Sequence, residues 1–367
     1  SHLPSTGSPA FHWVNDLIIS LKDPNRIYAA TRTGVHISEN GGRSWSQSLD
    51  PEVNGGCLDL ALRTDLAADW LFASCGTFEQ ATVYRGRVAA DEEWEAVLSE
   101  PGMGRTSLAI APSDQTVIYA LSASNNPEPH RPAGNSGQAL HAVYRSAGGG
   151  APGTWRERVT HDDPVKVNTL ILTNPLSSSY EECGEPYENS WTPMGWFCNM
   201  IAVDPVDPNV VWAGGVDLFR SDDGGRNWGL ASYWFAKYPT RSPSYVHADQ
   251  HAVVFHPDYD AVNVKTMFSA SDGGIFRTNN PDGIVSQAEA AICNPGYSEV
   301  SFDDLNHGFG ITQFYHGAPF PSGDGYLAGT QDNGTLLGFD DWGHDGWLPI
   351  SGGDGGYVAI DPQNPNY

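Results

Sequence analysis

The 367-residue chain carries 44 acidic and 19 basic residues, so its formal net charge is −25 at pH 7. Such a surface disfavours nucleic acid and anionic membranes as partners, because both bind through Lys and Arg side chains that neutralise phosphate. It favours neutral or basic partners. The chain contains no run of eighteen apolar residues, so we expect no membrane insertion.

A repeated segment indicates the architecture. Residues 38–45 read Ser-Glu-Asn-Gly-Gly-Arg-Ser-Trp, and residues 221–228 read Ser-Asp-Asp-Gly-Gly-Arg-Asn-Trp. Each copy follows a turn rich in Asp, Pro and Asn and a short β-branched or aromatic run, at residues 27–29 and 211–213. A strand, a Pro/Asn turn, a second strand and a Gly-rich turn closed by Trp make one blade of a β-propeller.

In chain order, the pattern predicts an all-β propeller of four-stranded antiparallel blades, six of them complete. These blades begin at residues 14, 57, 107, 200, 252 and 313. Each closes at an aromatic residue, which is Trp in all but the fifth blade: Trp45, Trp94, Trp155, Trp228, Phe302 and Trp347.

Residues 357–366 repeat the start of a blade and indicate a seventh, so we expect a seven-bladed ring when this blade is completed. A first strand without its neighbours is an exposed edge, which propellers avoid by closing the ring. We therefore expect residues 1–367 to be a single propeller domain cut from a larger protein. The remainder of its own polypeptide or another chain would complete the last blade. The alternative is a six-bladed ring with a frayed tail.

The five cysteines favour an oxidising compartment. Cys57 and Cys75 lie in the first two strands of one blade, and Cys183 and Cys198 flank a long insertion, so we expect these two disulfides, with Cys293 left over. The sequence thus predicts a secreted protein, extracellular or periplasmic. Five reduced, buried thiols are the alternative. No Cys-x-x-Cys occurs, which disfavours zinc-ribbon and thioredoxin chemistry.

The pattern Ser-x-Asp-x-Gly-x-x-Trp resembles the Asp-box, also called the BNR repeat. The match is complete in the second copy, and the first copy has Asn in place of Asp: Ser221, Asp223, Gly225 and Trp228, then Ser38, Asn40, Gly42 and Trp45. The resemblance implies that the Asp caps the turn by accepting backbone N–H bonds and that the Trp packs between blades. These roles are structural, so the resemblance implies a fold and not a function.

Three groups of Asp-box proteins differ in their activity. Sialidases have an N-terminal Arg-Ile-Pro motif, which this sequence lacks. Xyloglucanase-type glycoside hydrolases have two propellers with a catalytic Asp in each, the first in an Arg-Thr-Asp-Ile-Gly-Gly context; here residues 31–35 read Thr-Arg-Thr-Gly-Val. The sequence most resembles the sortilin-like propellers and their bacterial relatives, at residues 246–251, 271–274, 329–335 and 352–356. That resemblance implies binding of protein or peptide.

Three aspartates, Asp272, Asp332 and Asp354, are the catalytic candidates. Each stands in a Gly-rich turn beside a predicted strand of blades five, six or seven, and such turns cluster on one face of a propeller. Converging carboxylates would bind Ca²⁺, or would form an acid/base pair if their environments separate their pKa values. The alternative is that each accepts backbone N–H bonds within its own turn. Asp332 is the strongest of the three candidates.

A metal site is a second hypothesis. His247, Asp249 and His251 alternate, so on an extended chain they point to one face and resemble a transition-metal ligand set. The alternative is a polar network that fixes the fifth blade. The sequence requires no cofactor; Ca²⁺ and a transition metal are the two candidates.

Two loop insertions, residues 173–200 and 229–246, are rich in aromatic residues. Exposed aromatic rings stack against sugars or partner side chains, so the predicted ligand-binding residues are Trp191, Trp196, Tyr233 and Trp234. The alternative is that these rings pin the two loops against the ring of blades.

The sequence therefore favours a binding module for protein or glycan ligands over an enzyme, and leaves catalysis open. The alternative is a glycoside hydrolase acting on a polysaccharide through paired carboxylates, which requires two carboxyl groups roughly 5–10 Å apart in an aromatic cleft. Neither a Gly-x-Ser-x-Gly elbow nor a His-Glu-x-x-His helix occurs.

Overall fold

The structure, a computed structural model, describes residues 9–87, 93–126, 138–186, 188, 192–236, 241–306, 312–343, 346–361 and 363. Over these residues, 24 strands form six four-stranded antiparallel sheets, each with its strands in chain order. The prediction of an all-β propeller is confirmed. No helix of the described ranges has the length and apolar character needed to cross a membrane.

The sheets are numbered here as blades 1 to 6, each of four consecutive strands. The strands are β1 (Val14–Ile19), β2 (Ile27–Thr31), β3 (Gly34–Ser38), β4 (Ser46–Leu49), β5 (Cys57–Arg63), β6 (Trp70–Cys75), β7 (Thr82–Arg87), β8 (Glu95–Leu98), β9 (Met103–Ile110), β10 (Ile118–Ser124), β11 (Leu140–Ser146), β12 (Trp155–Thr160), β13 (Met200–Val203), β14 (Val211–Gly214), β15 (Leu218–Ser221), β16 (Gly229–Leu230), β17 (Gln250–Phe255), β18 (Met267–Ser271), β19 (Gly274–Thr278), β20 (Asp303–Asp304), β21 (Phe314–Pro319), β22 (Gly325–Thr330), β23 (Thr335–Phe339) and β24 (Trp347–Ser351). One short α-helix, α1 (Lys166–Thr169), lies between blades 3 and 4 in the chain. The described residues also form five 3₁₀ helices: Pro9–Phe11, Ser177–Ser179, Glu289–Cys293, Pro295–Tyr297 and Asp340–Trp342.

The apolar cores lie between adjacent blades. Blades 1 to 5 share four clusters of buried side chains, one at each junction, and the first strand of each of these blades lies beside the first strand of the next. Phe72, Phe219 and Trp228 are fully buried in these junctions. Burying one Phe side chain stabilises the fold by about 1.5–3 kcal/mol, so the junctions are a large source of stability.

Blade 6, and the face of blade 1 that does not pack against blade 2, differ from this pattern. Leu17 and Ile19 on β1 are 47% and 55% exposed, and Tyr315, Leu348 and Ile350 of blade 6 are each half exposed. These two blades therefore present apolar surface that no described residue covers.

The two repeated turns have the same hydrogen-bond geometry. Ser221 Oγ accepts the Gly225 N–H (2.9 Å), Asp223 Oδ1 accepts the backbone N–H four residues later (3.0 Å), and Trp228 Nε1 donates to the Gly225 carbonyl (3.0 Å). The turn at residues 38–45 forms the equivalent three bonds, with Asn40 in the place of the aspartate. Short Asx side chains suit this role because they reach their own turn's N–H groups.

Two disulfides are present, and one of them differs from the prediction. Cys57 and Cys75 are bonded across β5 and β6, as expected. Cys183 is bonded to Cys293, with Cα atoms 5.2 Å apart, and not to Cys198, which is a buried free thiol. The predicted Cys183–Cys198 pairing is therefore wrong.

The insertion's contacts explain this pairing. Lys166 Nζ forms ion pairs with both Glu182 and Glu289, at 2.6 and 3.5 Å, which places the neighbours of Cys183 and Cys293 at one point on the surface. Cys198, by contrast, leads directly into β13 and is buried.

Residues 357–360, where the sequence predicts the first strand of a seventh blade, form no strand. The Tyr357 ring stacks on the His316 ring of β21, with the ring centroids 3.8 Å apart, and Val358 is buried. A bridge between Asp354 and Gly334, and a hydrogen bond from the Gly355 N–H to the Thr330 carbonyl (2.8 Å), join the preceding residues to blade 6.

Candidate functional site

A cleft of about 520 Å³ lies where blades 4, 5 and 6 meet, and we call it the aromatic–acidic cleft. Its lining combines aromatic and aliphatic side chains with carboxylates. The residues that line it are Trp234, Phe235, Tyr245, His247, Ala248, Asp249, Asp332, Asn333, Pro349, Ile350, Ser351, Gly352, Gly353 and Asp354.

The carboxylates at the cleft come from turns and strand ends of blades 5 and 6. Asp249 directly precedes β17, Asp332 lies in the β22–β23 turn, and Asp354 follows β24. Asp272, in the β18–β19 turn, donates its backbone N–H to the Asp249 carbonyl (3.2 Å). The Asp332 N–H donates to Asp354 Oδ1 (3.1 Å). The structure thus brings Asp272, Asp332 and Asp354 together and adds Asp249, which the sequence analysis placed in a different set.

The backbone at two of these aspartates is strained. Asp249 has φ +66° and Asp332 has φ +56°, in the left-handed region that most non-glycine residues avoid. Such residues persist only where the surroundings hold them, and they concentrate at functional sites.

Crowding of carboxyl groups changes their protonation. Burial raises the pKa of Asp332, and the nearby charges of Asp354 and Asp272 raise it further. The carboxyl groups of Asp332 and Asp272 lie within hydrogen-bonding reach of each other. Burial, with the charges of Asp272 and Asp332, raises the pKa of Asp249 to about 6. The cleft therefore holds carboxyl groups that keep a proton at higher pH than ordinary aspartates.

His247, Asp249 and His251 do not form a ligand set. The His247 ring nitrogens face the carbonyl oxygens of Ala248 and Asp332 (3.2 Å each), His251 Nε2 contacts Asp272 Oδ1 (2.5 Å), and Asp249 accepts from the Cys198 thiol (3.4 Å).

The reason is local backbone geometry. Alternate side chains point to one face only where the chain is extended. The backbone of Asp249 is in the left-handed region, and the β17–β18 register shifts at His251. Among the described residues, no group of three or more His, Cys, Asp or Glu side chains is arranged to hold a metal ion.

The four predicted aromatic ligand residues differ in their placement. Trp234 lines the cleft, while the neighbouring Tyr233 is fully buried in the core and is not available to a ligand. Trp196 is 45% exposed and packs on Phe197 outside the cleft. Trp191 lies outside the described residues.

A buried carboxyl group that the sequence analysis missed holds Trp234 in place. Asp217 is fully buried in the β14–β15 turn and accepts the Trp234 backbone N–H (2.8 Å) and the Ser232 hydroxyl (3.1 Å). Burial raises the pKa of Asp217 well above its ordinary value. Trp234 Nε1 also donates to Asn174 Oδ1 (3.2 Å), so Asp217 holds the backbone of Trp234 and Asn174 holds its indole. The sequence signal was a charged residue inside an otherwise apolar hairpin.

Comparison with known proteins identifies the fold. No protein-family model matches this chain, and no curated protein matches it significantly. Among solved structures, a GH74 xyloglucanase from Xanthomonas campestris is similar with a TM-score of 0.54 and 16% identity, over 95% of this chain and 54% of that enzyme. The chain thus spans about half the length of that enzyme. At this identity the likeness shows the β-propeller fold alone.

Two further similarities are weaker. YCF48 from Cyanidioschyzon merolae matches with a TM-score of 0.43 and 16% identity, over 98% of this chain and 87% of YCF48. A structure of YCF48 bound to D1 peptide matches with a TM-score of 0.41 and 12% identity, over 93% of this chain and 83% of that one.

Proposed function

We propose that the protein is a secreted binding module that holds a glycan in the aromatic–acidic cleft. The observation that supports this proposal is the combination of Trp234, Phe235 and Tyr245 with the carboxylates of Asp249, Asp332 and Asp354 in one cleft of about 520 Å³. This volume lies within the range of about 300–1,000 Å³ that is typical of ligand pockets.

The chemistry of the lining suits a sugar. Aromatic rings stack on the apolar faces of pyranose rings, and carboxylate oxygens accept hydrogen bonds from hydroxyl groups. Hydrogen bonds to a charged acceptor contribute about 1.5–3 kcal/mol each, so two or three of them orient a ligand. The two disulfides support an oxidising compartment outside the cytosol. The xyloglucanase, which shares the fold, has a glycan substrate by its name.

Isothermal titration against soluble polysaccharides and their oligosaccharides, xyloglucan included, tests the proposal. We expect Trp234→Ala to weaken binding at least about tenfold, because it removes an indole that lines the cleft and is held by Asn174. Trp13→Ala is the matched control, since Trp13 is 58% exposed and lies outside the cleft. Binding of basic peptides but of no glycan would contradict the proposal, as would equal binding by both variants.

A second candidate function, glycoside hydrolysis, is favoured by one observation. A general acid must hold a proton at working pH, and the raised pKa values of Asp332 and Asp249 suit that role. Asp272 and Asp332 are too close to act as the catalytic pair, because the two carboxyl groups of a hydrolase stand about 5–9.5 Å apart. The candidate pair is therefore Asp249 with Asp332 or Asp354.

A reducing-sugar assay on the polysaccharide that binds most tightly separates the two functions. Hydrolysis predicts cleavage by the wild type and at least about a hundredfold loss in Asp332→Asn or Asp249→Asn. Tight binding without cleavage would contradict hydrolysis and support the binding module.

A further inference from the structure

A second cavity, of about 300 Å³, lies on the axis of the ring. The first strands of blades 1 to 5 enclose it, and we call it the channel cavity. The side chains that line it are mostly polar: Asn15, Asp16, Asp59, Arg105, Asn199 and His251. It contains no described residue of blade 6 and shares none of its lining with the aromatic–acidic cleft.

Arg105 offers a free hydrogen-bonding edge in this cavity. Its Nη1 donates to the carbonyl oxygens of Trp196 (2.7 Å) and Phe197 (2.6 Å), which fixes the guanidinium. Nε and Nη2 have no hydrogen-bond partner among the described residues, and Arg105 has no ion-pair partner there. Arg63 and Arg220 use the same two atoms, Nε and Nη2, to bind Asp65 and Asp222. Each arginine forms two hydrogen bonds, of 2.6–3.0 Å. The free edge of Arg105 thus has the geometry of a carboxylate receptor.

The same cavity holds acceptors. Asp59 and Asp16 receive backbone N–H groups, but each carboxylate oxygen has a second lone pair. Asn199, which is 4% exposed, donates from Nδ2 to the Arg105 carbonyl (3.1 Å).

We propose that the channel cavity binds a small zwitterion of the α-amino-acid class. The ligand carboxylate lies on Nε and Nη2 of Arg105, and its ammonium group donates to Asp16 and Asp59. Burial raises the pKa of both Asp16 and Asp59, so the pair carries fewer than two negative charges near neutral pH. The negative charge that remains repels a simple anion, and Arg105 repels a simple cation. A ligand that carries both charges satisfies both halves of the site. The volume, at the lower end of the range for ligand pockets, limits it to a small molecule.

Calorimetric titration of the full chain with glycine, L-alanine and L-glutamine, and with acetate and methylammonium as single-charge probes, tests the proposal. We expect the wild type to bind at least one amino acid at concentrations up to about 10 mM, and to bind each single-charge probe at least about tenfold more weakly. Wild-type protein that binds no amino acid, or that binds acetate as tightly, overturns the proposal.

Variants separate the site from a folding effect. Arg105→Lys keeps a cation beside the two carbonyls but loses the two-pronged edge, so amino-acid binding is expected to fall at least about tenfold. Asp16→Asn should weaken amino-acid binding and strengthen acetate binding, an opposite pair of changes that misfolding cannot produce. Arg43→Gln, at an exposed position, is the control and should bind as the wild type does. Unchanged amino-acid binding in Arg105→Lys, with circular dichroism showing a folded protein, overturns the proposal.

Discussion

At the scale of single residues, the aromatic–acidic cleft depends on carboxyl groups that the fold forces together. Asp249 and Asp332 adopt left-handed backbone conformations, and both have pKa values raised by burial and by neighbouring carboxylates. Evolution rarely keeps strain and charge repulsion in a turn that only connects strands. Their combination supports a ligand role for this cleft more strongly than either feature alone.

The protonation of Asp249 predicts a pH dependence of stability. Its pKa rises from 3.8 in the unfolded chain to about 6 in the fold, so its contribution to stability is complete below the lower value and is lost as pH rises through the upper one. Asp249→Asn has no carboxyl group to ionise, so the variant does not lose this stability as pH rises. We expect the variant to gain up to about 1–3 kcal/mol over the wild type at about pH 7.5, and little at about pH 4, in urea unfolding.

Asp258→Asn is the control for this comparison, because that side chain is 83% exposed. Its unfolding free energy should follow the wild type at both pH values. An Asp249→Asn advantage that is equal at the two pH values would show that packing, and not titration, causes it.

Asp217 predicts a different pair of effects. Asp217→Asn keeps an acceptor for the Trp234 N–H and the Ser232 hydroxyl and removes a buried carboxyl group whose charged form burial disfavours. Its stability should equal or exceed that of the wild type. Asp217→Ala leaves two buried donors unpaired and should cost about 1–3 kcal/mol, measured by urea unfolding. Equal losses in both variants would contradict this account.

At the scale of elements, the strands and turns were predictable, and the long insertion was not. The repeated turns at 38–45 and 221–228 are held by hydrogen bonds between side chains and nearby backbone groups, so the local sequence determines their geometry. The disulfide of Cys183 depends on residues more than a hundred positions away, which no local pattern encodes. Likewise, Ile350 lies on the largely exposed strand β24 and lines the cleft, and no pattern in the sequence marked it as a site residue.

Peptide mapping checks the disulfide assignment. Digestion without reduction should release a linked pair of peptides that contain Cys183 and Cys293, while Cys198, buried beside Asp249, should react with iodoacetamide only after unfolding. A Cys183–Cys198 linked peptide would contradict the structure.

Removing the same bond should also destabilise the fold. The disulfide closes a loop of 110 residues, so Cys183→Ser with Cys293→Ser should cost about 2–5 kcal/mol on chain-entropy grounds. Urea unfolding under non-reducing conditions measures this cost. A loss below about 1 kcal/mol would mean that the insertion holds its place through its ion pairs and packing instead.

At the scale of the whole molecule, the ring is unevenly buried. Blades 1 to 5 share four apolar junctions, whereas Leu17 and Ile19 of blade 1 and Leu348 and Tyr315 of blade 6 are about half exposed. Exposed apolar patches in proteins are commonly covered by a partner. The sequence predicted the start of a seventh blade at residues 357–366, but residues 357–360 form no strand, and the uneven burial was not predicted.

This uneven burial predicts association. The 367-residue chain alone should form concentration-dependent oligomers and bind an apolar fluorescent dye, because self-association removes the apolar faces of blades 1 and 6 from water. Leu17→Glu with Leu348→Glu should reduce both effects, since each places a charge on one of those faces. Val262→Glu, at a 74% exposed position in the loop after β17, is the matched control and should change neither. Sedimentation velocity across a range of protein concentrations measures the outcome. A wild-type chain that stays monomeric and binds no dye would mean that these faces are stable in water as they stand, and that no partner is needed to cover them.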